Sequence, residues 1–129
     1  MGRCELRRLV IQADEDVVCA GTVADVFGDE DRAVLCLERD GTSVEELLLL
    51  RLHHRLYAIV NRCPHLDRAL DDARVRGHVL TCRGHGRSYN LRSGRAVRAF
   101  AGDGPALLRG ARVWDEGGKL FLDITNLHR

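Results

Sequence analysis

The chain has 129 residues and a formal net charge of +1, from 20 Lys and Arg against 19 Asp and Glu. This length predicts one domain over residues 1–129 with a modest hydrophobic core. No apolar run approaches the about 18 residues of a membrane-spanning helix, and the N-terminus lacks the apolar core of a signal peptide. We therefore expect a cytoplasmic protein without a membrane partner.

Short strands separated by turn residues follow one another along the whole chain, and no long helical period interrupts them, which predicts an all-β sandwich or barrel. Asp40-Gly41 is a strong hairpin signal, and the apolar run Leu47–Leu50 suits a buried strand. Residues 66–76 are expected to form a surface connector. The predicted strands are Glu5–Gln12, Val17–Phe27, Ala33–Glu38, Val44–Leu52, Leu56–Val60, Val79–Thr81, Ser88–Leu91, Arg95–Val97, Ala111–Trp114 and Lys119–Ile124.

Charge is unevenly distributed, because residues 62–98 carry nine Arg and three Asp, whereas residues 1–61 carry 7 basic and 12 acidic residues. No aromatic residues interleave with the arginines, so we predict no nucleic-acid partner. Two interpretations stay open: a solvated surface, or a docking face for an acidic protein formed by Arg68, Arg83 and Arg87.

Outside the basic segment, Cys4, Cys19 and Cys36 are expected to be free, partly buried thiols in a reducing compartment.

The most informative stretch is Cys63-Pro64-His65, followed after sixteen residues by Cys82-Arg83-Gly84-His85. Two thiols and two imidazoles can hold tetrahedral zinc. They can also hold a [2Fe–2S] centre in which two thiolates bind one iron and two imidazoles bind the other. Zinc modules usually pair Cys with Cys and His with His, so the mixed pairs here favour the cluster and leave a structural zinc module as the alternative.

The surrounding residues resemble a Rieske-type ferredoxin, the ferredoxin component of ring-hydroxylating dioxygenase systems. The resemblance runs from about Val34 to the end of the chain and is densest over residues 57–97. It is carried by Tyr57–Leu66, Val79–Cys82, His85–Gly86, Tyr89–Leu91 and Ser93–Gly94.

This resemblance implies the Rieske fold, a small antiparallel β sandwich or incomplete barrel with a cluster-binding subdomain at about residues 60–92. It also implies one [2Fe–2S] cluster per chain, with Cys63 and Cys82 on the inner iron and His65 and His85 on the outer iron. Gly84 and Gly86 would let the backbone approach the cluster, and a third loop containing Pro105 would cover it.

By the same resemblance, the chain is a monomeric one-electron carrier rather than an enzyme. It would take electrons from a flavin-containing NAD(P)H reductase and pass them to a terminal oxygenase. The alternative is a small Rieske subunit of a larger oxidoreductase, such as a nitrite reductase complex. No arrangement of the remaining histidines predicts a mononuclear 2-His-1-carboxylate iron site.

Departures from the family pattern bear on the reduction potential. High-potential Rieske proteins have an additional Cys pair where this chain has Arg68 and Gly84, and a Ser where it has Arg87. Tyr89 occupies the family position of a Tyr that hydrogen-bonds a ligand Cys. Because fewer hydrogen bonds to sulfur lower the potential, we expect a value near about −150 mV, at the lower end of the Rieske range.

Overall fold

The computed structural model describes residues 6–64, 68–84, 86–97 and 107–128. This part of the chain contains ten strands, one α-helix and one 3₁₀ helix. The strands are β1 Arg7–Gln12, β2 Val17–Thr22, β3 Arg32–Arg39, β4 Thr42–Leu52, β5 Arg55–Val60, β6 Arg74–Arg76, β7 Val79–Thr81, β8 Ser88–Asn90, β9 Gly110–Glu116 and β10 Lys119–Asp123, and the helices are α1 Val23–Phe27 and the 3₁₀ helix Thr125–His128.

Seven strands form one nearly closed sheet in the order β1-β3-β4-β5-β9-β10-β2. Its two edge strands, β1 and β2, are consecutive in the sequence, so the short turn between them brings the edges towards each other. Neighbouring strands are antiparallel except for β1 and β3, which pair in parallel. The all-β prediction is confirmed, although the expected antiparallel arrangement is wrong for this one pair.

Strand β4 is buried on both faces, because the core of the large sheet covers one face and a second sheet covers the other. Leu47 and Leu49 point into the core enclosed by the large sheet. Leu48 and Leu50 alternate to the opposite face, where they join a second apolar cluster. All four side chains are at most 1% exposed, and burial of each leucine contributes about 1.5–3 kcal/mol. The predicted buried strand is therefore confirmed.

The second cluster lies beneath a three-stranded antiparallel sheet in the order β6-β7-β8. Leu80 and Tyr89 are paired across β7 and β8, and both side chains are buried in this cluster with Leu48 and Leu50. The small sheet is thereby packed on the outer face of the large one. Strand β6 is absent from the sequence prediction, which assigned its residues to a connector.

Residues 23–27 form a helix, so the strand predicted over Val17–Phe27 ends at Thr22. The Thr22 hydroxyl accepts a hydrogen bond from the Asp25 amide at 3.0 Å, which caps the helix N-terminus. Val26 and Phe27 are buried. A Thr followed three residues later by an acidic residue is a capping signal that the β-branched composition of this stretch obscured.

Within the described residues, no helix has the length and apolarity needed to cross a membrane.

The turn between β4 and β5 is strained. His53 and His54 both have positive φ, 49° and 67°, whereas a two-residue hairpin turn of this kind favours Asn-Gly. A side chain in this region costs about 1–2 kcal/mol. Glycine avoids this cost, but it loses more chain entropy on folding, which cancels part of the gain.

We therefore expect His54→Gly to stabilise the protein by about 1 kcal/mol, which raises Tm by about 4 °C. Thermal unfolding followed by circular dichroism measures the change. His54→Ala is the matched control, since it removes the imidazole and keeps the strain. Equal Tm values for the two variants would contradict the strain argument.

Candidate metal centre

Cys63 and Cys82 lie on two loops that the backbone closes in the same way. Cys63 follows β5, and its amide donates to the carbonyl of Arg68 at 2.7 Å. Cys82 follows β7, and its amide donates to the carbonyl of Arg87 at 2.8 Å. Each bond therefore joins a cysteine to the residue five positions later. Both cysteines are buried in the second apolar cluster, so the fold brings together the two thiols that the sequence motif singled out.

The two histidines of the motif, His65 and His85, fall in sequence within these closed loops. Both lie outside the described residues, as do Pro105 and Cys4. The assignment of His65 and His85 as ligands therefore stays a prediction, and so does the covering role of Pro105.

Tyr89 provides a polar contact to the buried sulfur of Cys63. Its hydroxyl oxygen is 3.9 Å from Cys63 Sγ, and its side chain is 1% exposed. Burial, together with the hydrogen bond and the charge of Cys63, raises the pKa of Tyr89 to about 12. The phenol therefore keeps its proton at neutral pH and is available as a hydrogen-bond donor to sulfur.

Asn61 holds the first loop against the large sheet. Its side chain donates to Glu46 Oε1 at 2.8 Å and accepts from the Leu70 amide at 2.8 Å. Its own amide donates to the carbonyl of Glu46 at 2.8 Å. Asn61 is buried and lies two residues before Cys63, so it fixes both sides of the loop. The sequence analysis gave it no role.

The connector between the two loops is held by arginines from the large sheet. Arg32 Nη1 donates to the carbonyls of Asp71 at 2.9 Å and Ala73 at 2.8 Å. Burial, together with the charge of Arg83, lowers the pKa of Arg32 from its usual value. Arg8 contacts the carboxylates of both Glu46 and Asp71 at 3.3 Å. These contacts cross long sequence separations, and no local pattern identifies them.

The arginines predicted to form a docking face are exposed or partly exposed, and two of them meet at Asp72. Arg68 pairs with the Asp72 carboxylate at 3.0 Å, and Arg83 donates to the Asp72 carbonyl. Arg87 is half-buried, next to Gly86. The charge that these residues present is therefore partly offset by one carboxylate, and the docking role stays a prediction.

The two glycines predicted to let the backbone approach the cluster both lie in the turn region after Cys82. Gly86 has a φ of 69° and its amide donates to the Cys82 carbonyl at 3.0 Å. A glycine suits this backbone, because L side chains rarely adopt positive φ. Gly84 is exposed in the turn that follows Cys82.

The other described cysteines lie apart from the two loops. Cys36 is half-buried, with its thiol 3.8 Å from Glu46 Oε2, and burial raises its pKa. Cys19 is exposed, contrary to the expectation of partial burial, because the alternate residues Val18 and Ala20 occupy the inward face of β2. Neither forms a disulfide.

Comparison with known proteins identifies the family. The family model of the Rieske [2Fe–2S] domain matches residues 9–104. The chain belongs to the Rieske [2Fe–2S] domain family. No curated protein sequence matches the chain.

Solved Rieske structures resemble the fold. The ferredoxin of carbazole 1,9a-dioxygenase from Nocardioides aromaticivorans IC177 is 21% identical, with a TM-score of 0.62 over 84% of this chain and 97% of that chain. The Sphingomonas yanoikuyae B1 ferredoxin is 23% identical, with a TM-score of 0.58 over 80% and 93%. The terminal oxygenase of carbazole 1,9a-dioxygenase from Novosphingobium sp. KA1 is 25% identical, with a TM-score of 0.66 over 82% of this chain and 29% of that chain.

The described part of the site fits the [2Fe–2S] cluster of this Rieske domain. Cys63 and Cys82 offer two buried sulfurs on matched loops, and Tyr89 offers a protonated donor to one of them. The mixed Cys and His pattern left two alternatives open, a [2Fe–2S] cluster and a zinc ion. Membership of the Rieske family favours the cluster. When bound, such a cluster takes up and releases one electron at a time.

Tyr89→Phe is expected to lower the reduction potential. A hydrogen bond to sulfur stabilises the more negative, reduced state, and a bond worth about 1 kcal/mol more in that state corresponds to roughly 40 mV. A spectroelectrochemical titration measures the shift. Tyr57→Phe is the matched control, because Tyr57 lies near the far end of β5. A potential unchanged in Tyr89→Phe, or lowered equally in both variants, would contradict the assignment.

Proposed function

We propose that the protein is a one-electron carrier that delivers electrons to a terminal oxygenase. The observation that carries the proposal is the pair of buried thiols on identically closed loops in a Rieske domain. Further support comes from solved structures in which the same fold is a ferredoxin, including a complex of reduced oxygenase and oxidised ferredoxin in carbazole 1,9a-dioxygenase. That chain is 19% identical to this one, with a TM-score of 0.64 over 85% of this chain and 94% of that chain.

In this proposal Cys63, His65, Cys82 and His85 hold the cluster. The closed loops keep the two buried sulfurs in a fixed geometry, so that little rearrangement accompanies a change of charge. A flavin-containing NAD(P)H reductase is the electron donor. The protein is an electron-transfer component without a catalytic residue of its own, and it works as a cytoplasmic monomer.

Electron paramagnetic resonance and turnover test the proposal. The purified protein is expected to be red-brown and to give a Rieske-type signal after reduction with dithionite. A reductase and a terminal oxygenase purified from the same organism should then oxidise their aromatic substrate only when the protein is added. Full turnover in its absence would refute the carrier role.

The alternative of a small subunit in a larger oxidoreductase makes a different prediction. Such a subunit co-purifies with its partner in fixed stoichiometry. A carrier that exchanges between two partners elutes alone on size exclusion.

Arg83→Glu is expected to slow electron transfer to the oxygenase about tenfold at low ionic strength, if the exposed arginines attract an acidic partner. Lys119→Glu is the matched control, because it makes the same change of charge. Lys119 follows the turn between β9 and β10. Because β9 runs antiparallel to β5, the end of β9 lies beside the start of β5. That turn therefore lies at the end of the large sheet away from Cys63.

Stopped-flow oxidation of the dithionite-reduced protein measures both variants. Their rates should converge as salt screens the charges. Equal rates for wild type and Arg83→Glu at low salt would remove the docking face.

A further inference from the structure

A small cavity lies at the end of the small sheet away from the ligand loops. It has a volume of about 150 Å³ and opens between the β4–β5 turn, the β6–β7 turn and the residues after β8. None of the described residues that line it is acidic. Its polar and aromatic lining consists of His53, Arg55, Tyr57, His78 and Arg92.

The cavity is separate from the cluster site. Strand β5 begins at Arg55, beside the cavity, and ends at Val60, three residues before Cys63. Six residues of extended chain span roughly 20 Å. The basic groups of this cavity therefore need an explanation other than the cluster.

The two guanidinium groups of the cavity have no ion-pair partner in the described part of the chain. Among the described residues, neither Arg55 nor Arg92 forms an ion pair. Two guanidinium groups and two imidazoles thus line one small concave space together with a phenol. The two guanidinium groups repel each other, and an anion bound between them would be attracted to both.

The strained turn independently points to the same place. His53 and His54 adopt positive φ where Asn-Gly would fit without strain. This conformation places His53 in the wall of the cavity. Strained backbone in a folded protein often accompanies a binding site, where the strain orients a functional side chain.

We propose that this cavity binds a phosphate group. Guanidinium groups match a tetrahedral oxyanion through paired N–H donors, and the imidazoles and the Tyr57 hydroxyl supply further donors. The volume suits one such group with its water. The bound phosphate group could belong to inorganic phosphate or to a small phosphate ester, since both present the same oxyanion to the cavity.

Nuclear magnetic resonance of the ¹⁵N-labelled holoprotein tests the proposal. Gly77 and His78 line the cavity, and strand β7 separates His78 from Cys82 by roughly 13 Å of extended chain. Their amide signals are therefore expected to escape the strongest paramagnetic broadening by the cluster. Inorganic phosphate, glycerol phosphate and succinate are each titrated at constant ionic strength. Saturable shifts of these amides with phosphate are expected, at much lower concentrations than with succinate.

Arg55→Gln and Arg92→Gln are each expected to weaken phosphate binding about tenfold. Arg76→Gln is the matched control, because it removes the same charge from an exposed position outside the cavity lining. Saturation by glycerol phosphate as well would identify a phosphate ester as an accepted source, and saturation by phosphate alone would identify the free ion.

Shifts that grow linearly with phosphate, equally tight binding of succinate, or equal weakening by Arg76→Gln would each overturn the proposal. The measurement does not depend on electron transfer, so its outcome is separate from that of the carrier function.

Discussion

Cys82→Ser is expected to remove most of the iron from the protein and to abolish its EPR signal. A serine hydroxyl is a much poorer ligand for an iron–sulfur cluster than a thiolate, and Cys82 is fully buried between β7 and Arg87. The buried hydroxyl also costs about 1–3 kcal/mol unless it finds a hydrogen bond. Iron and acid-labile sulfide analysis of the purified variant measures the loss.

Two control variants separate the loss of a ligand from the loss of a thiol. Cys19→Ser alters an exposed cysteine, and Cys36→Ser alters a half-buried cysteine on the large sheet. Both should keep the iron content of the wild type. Far-ultraviolet circular dichroism of Cys82→Ser shows whether the strands persist after cluster loss. A Cys82→Ser protein with full iron and an unchanged signal would refute Cys82 as a ligand.

Local patterns in the sequence predict much of the large sheet. The run Leu47–Leu50 predicts a buried strand, and Asp40-Gly41 predicts the β3–β4 hairpin, where both residues have positive φ. The predicted strand Lys119–Ile124 is also present, and its alternate residues Leu120, Leu122 and Ile124 are all buried. These features depend on alternation and turn chemistry within a few residues, which a single sequence contains.

Local patterns do not predict contacts between residues that are far apart in the sequence. The parallel pairing of β1 with β3 is set by the closure of the sheet. The strand β6 is only three residues long and exists because it pairs with β7. The support of the ligand loops by Arg32 and Asn61 depends on partners up to 41 residues away. The motif singles out Cys63 and Cys82, which lie in one buried cluster, but it does not predict what holds their loops in place.

Asn61→Ala is expected to lower the free energy of unfolding by about 2–4 kcal/mol, although the hydrogen bonds of the Asn61 side chain go to Glu46 and Leu70 and not to the thiols. The substitution leaves the amide of Leu70 without its acceptor, and Leu70 is fully buried. It also removes the donor to Glu46 Oε1. Each buried polar group left without a partner costs about 1–3 kcal/mol. Chemical denaturation of the apoprotein measures the stability without the contribution of the bound cluster.

The same substitution should also loosen the first ligand loop, because Asn61 joins its entry to both β4 and the connector. We therefore expect faster release of iron to a chelator at a temperature where the variant is still folded. Asn90→Ala is the matched control, since Asn90 accepts from the exposed amides of Arg92 and Ser93. It should cost less than about 1 kcal/mol and leave iron release unchanged. If Asn61→Ala lost stability without faster iron release, Asn61 would support the fold alone. If both changed together, the loop that presents Cys63 would depend on a hydrogen-bonded bridge to the large sheet.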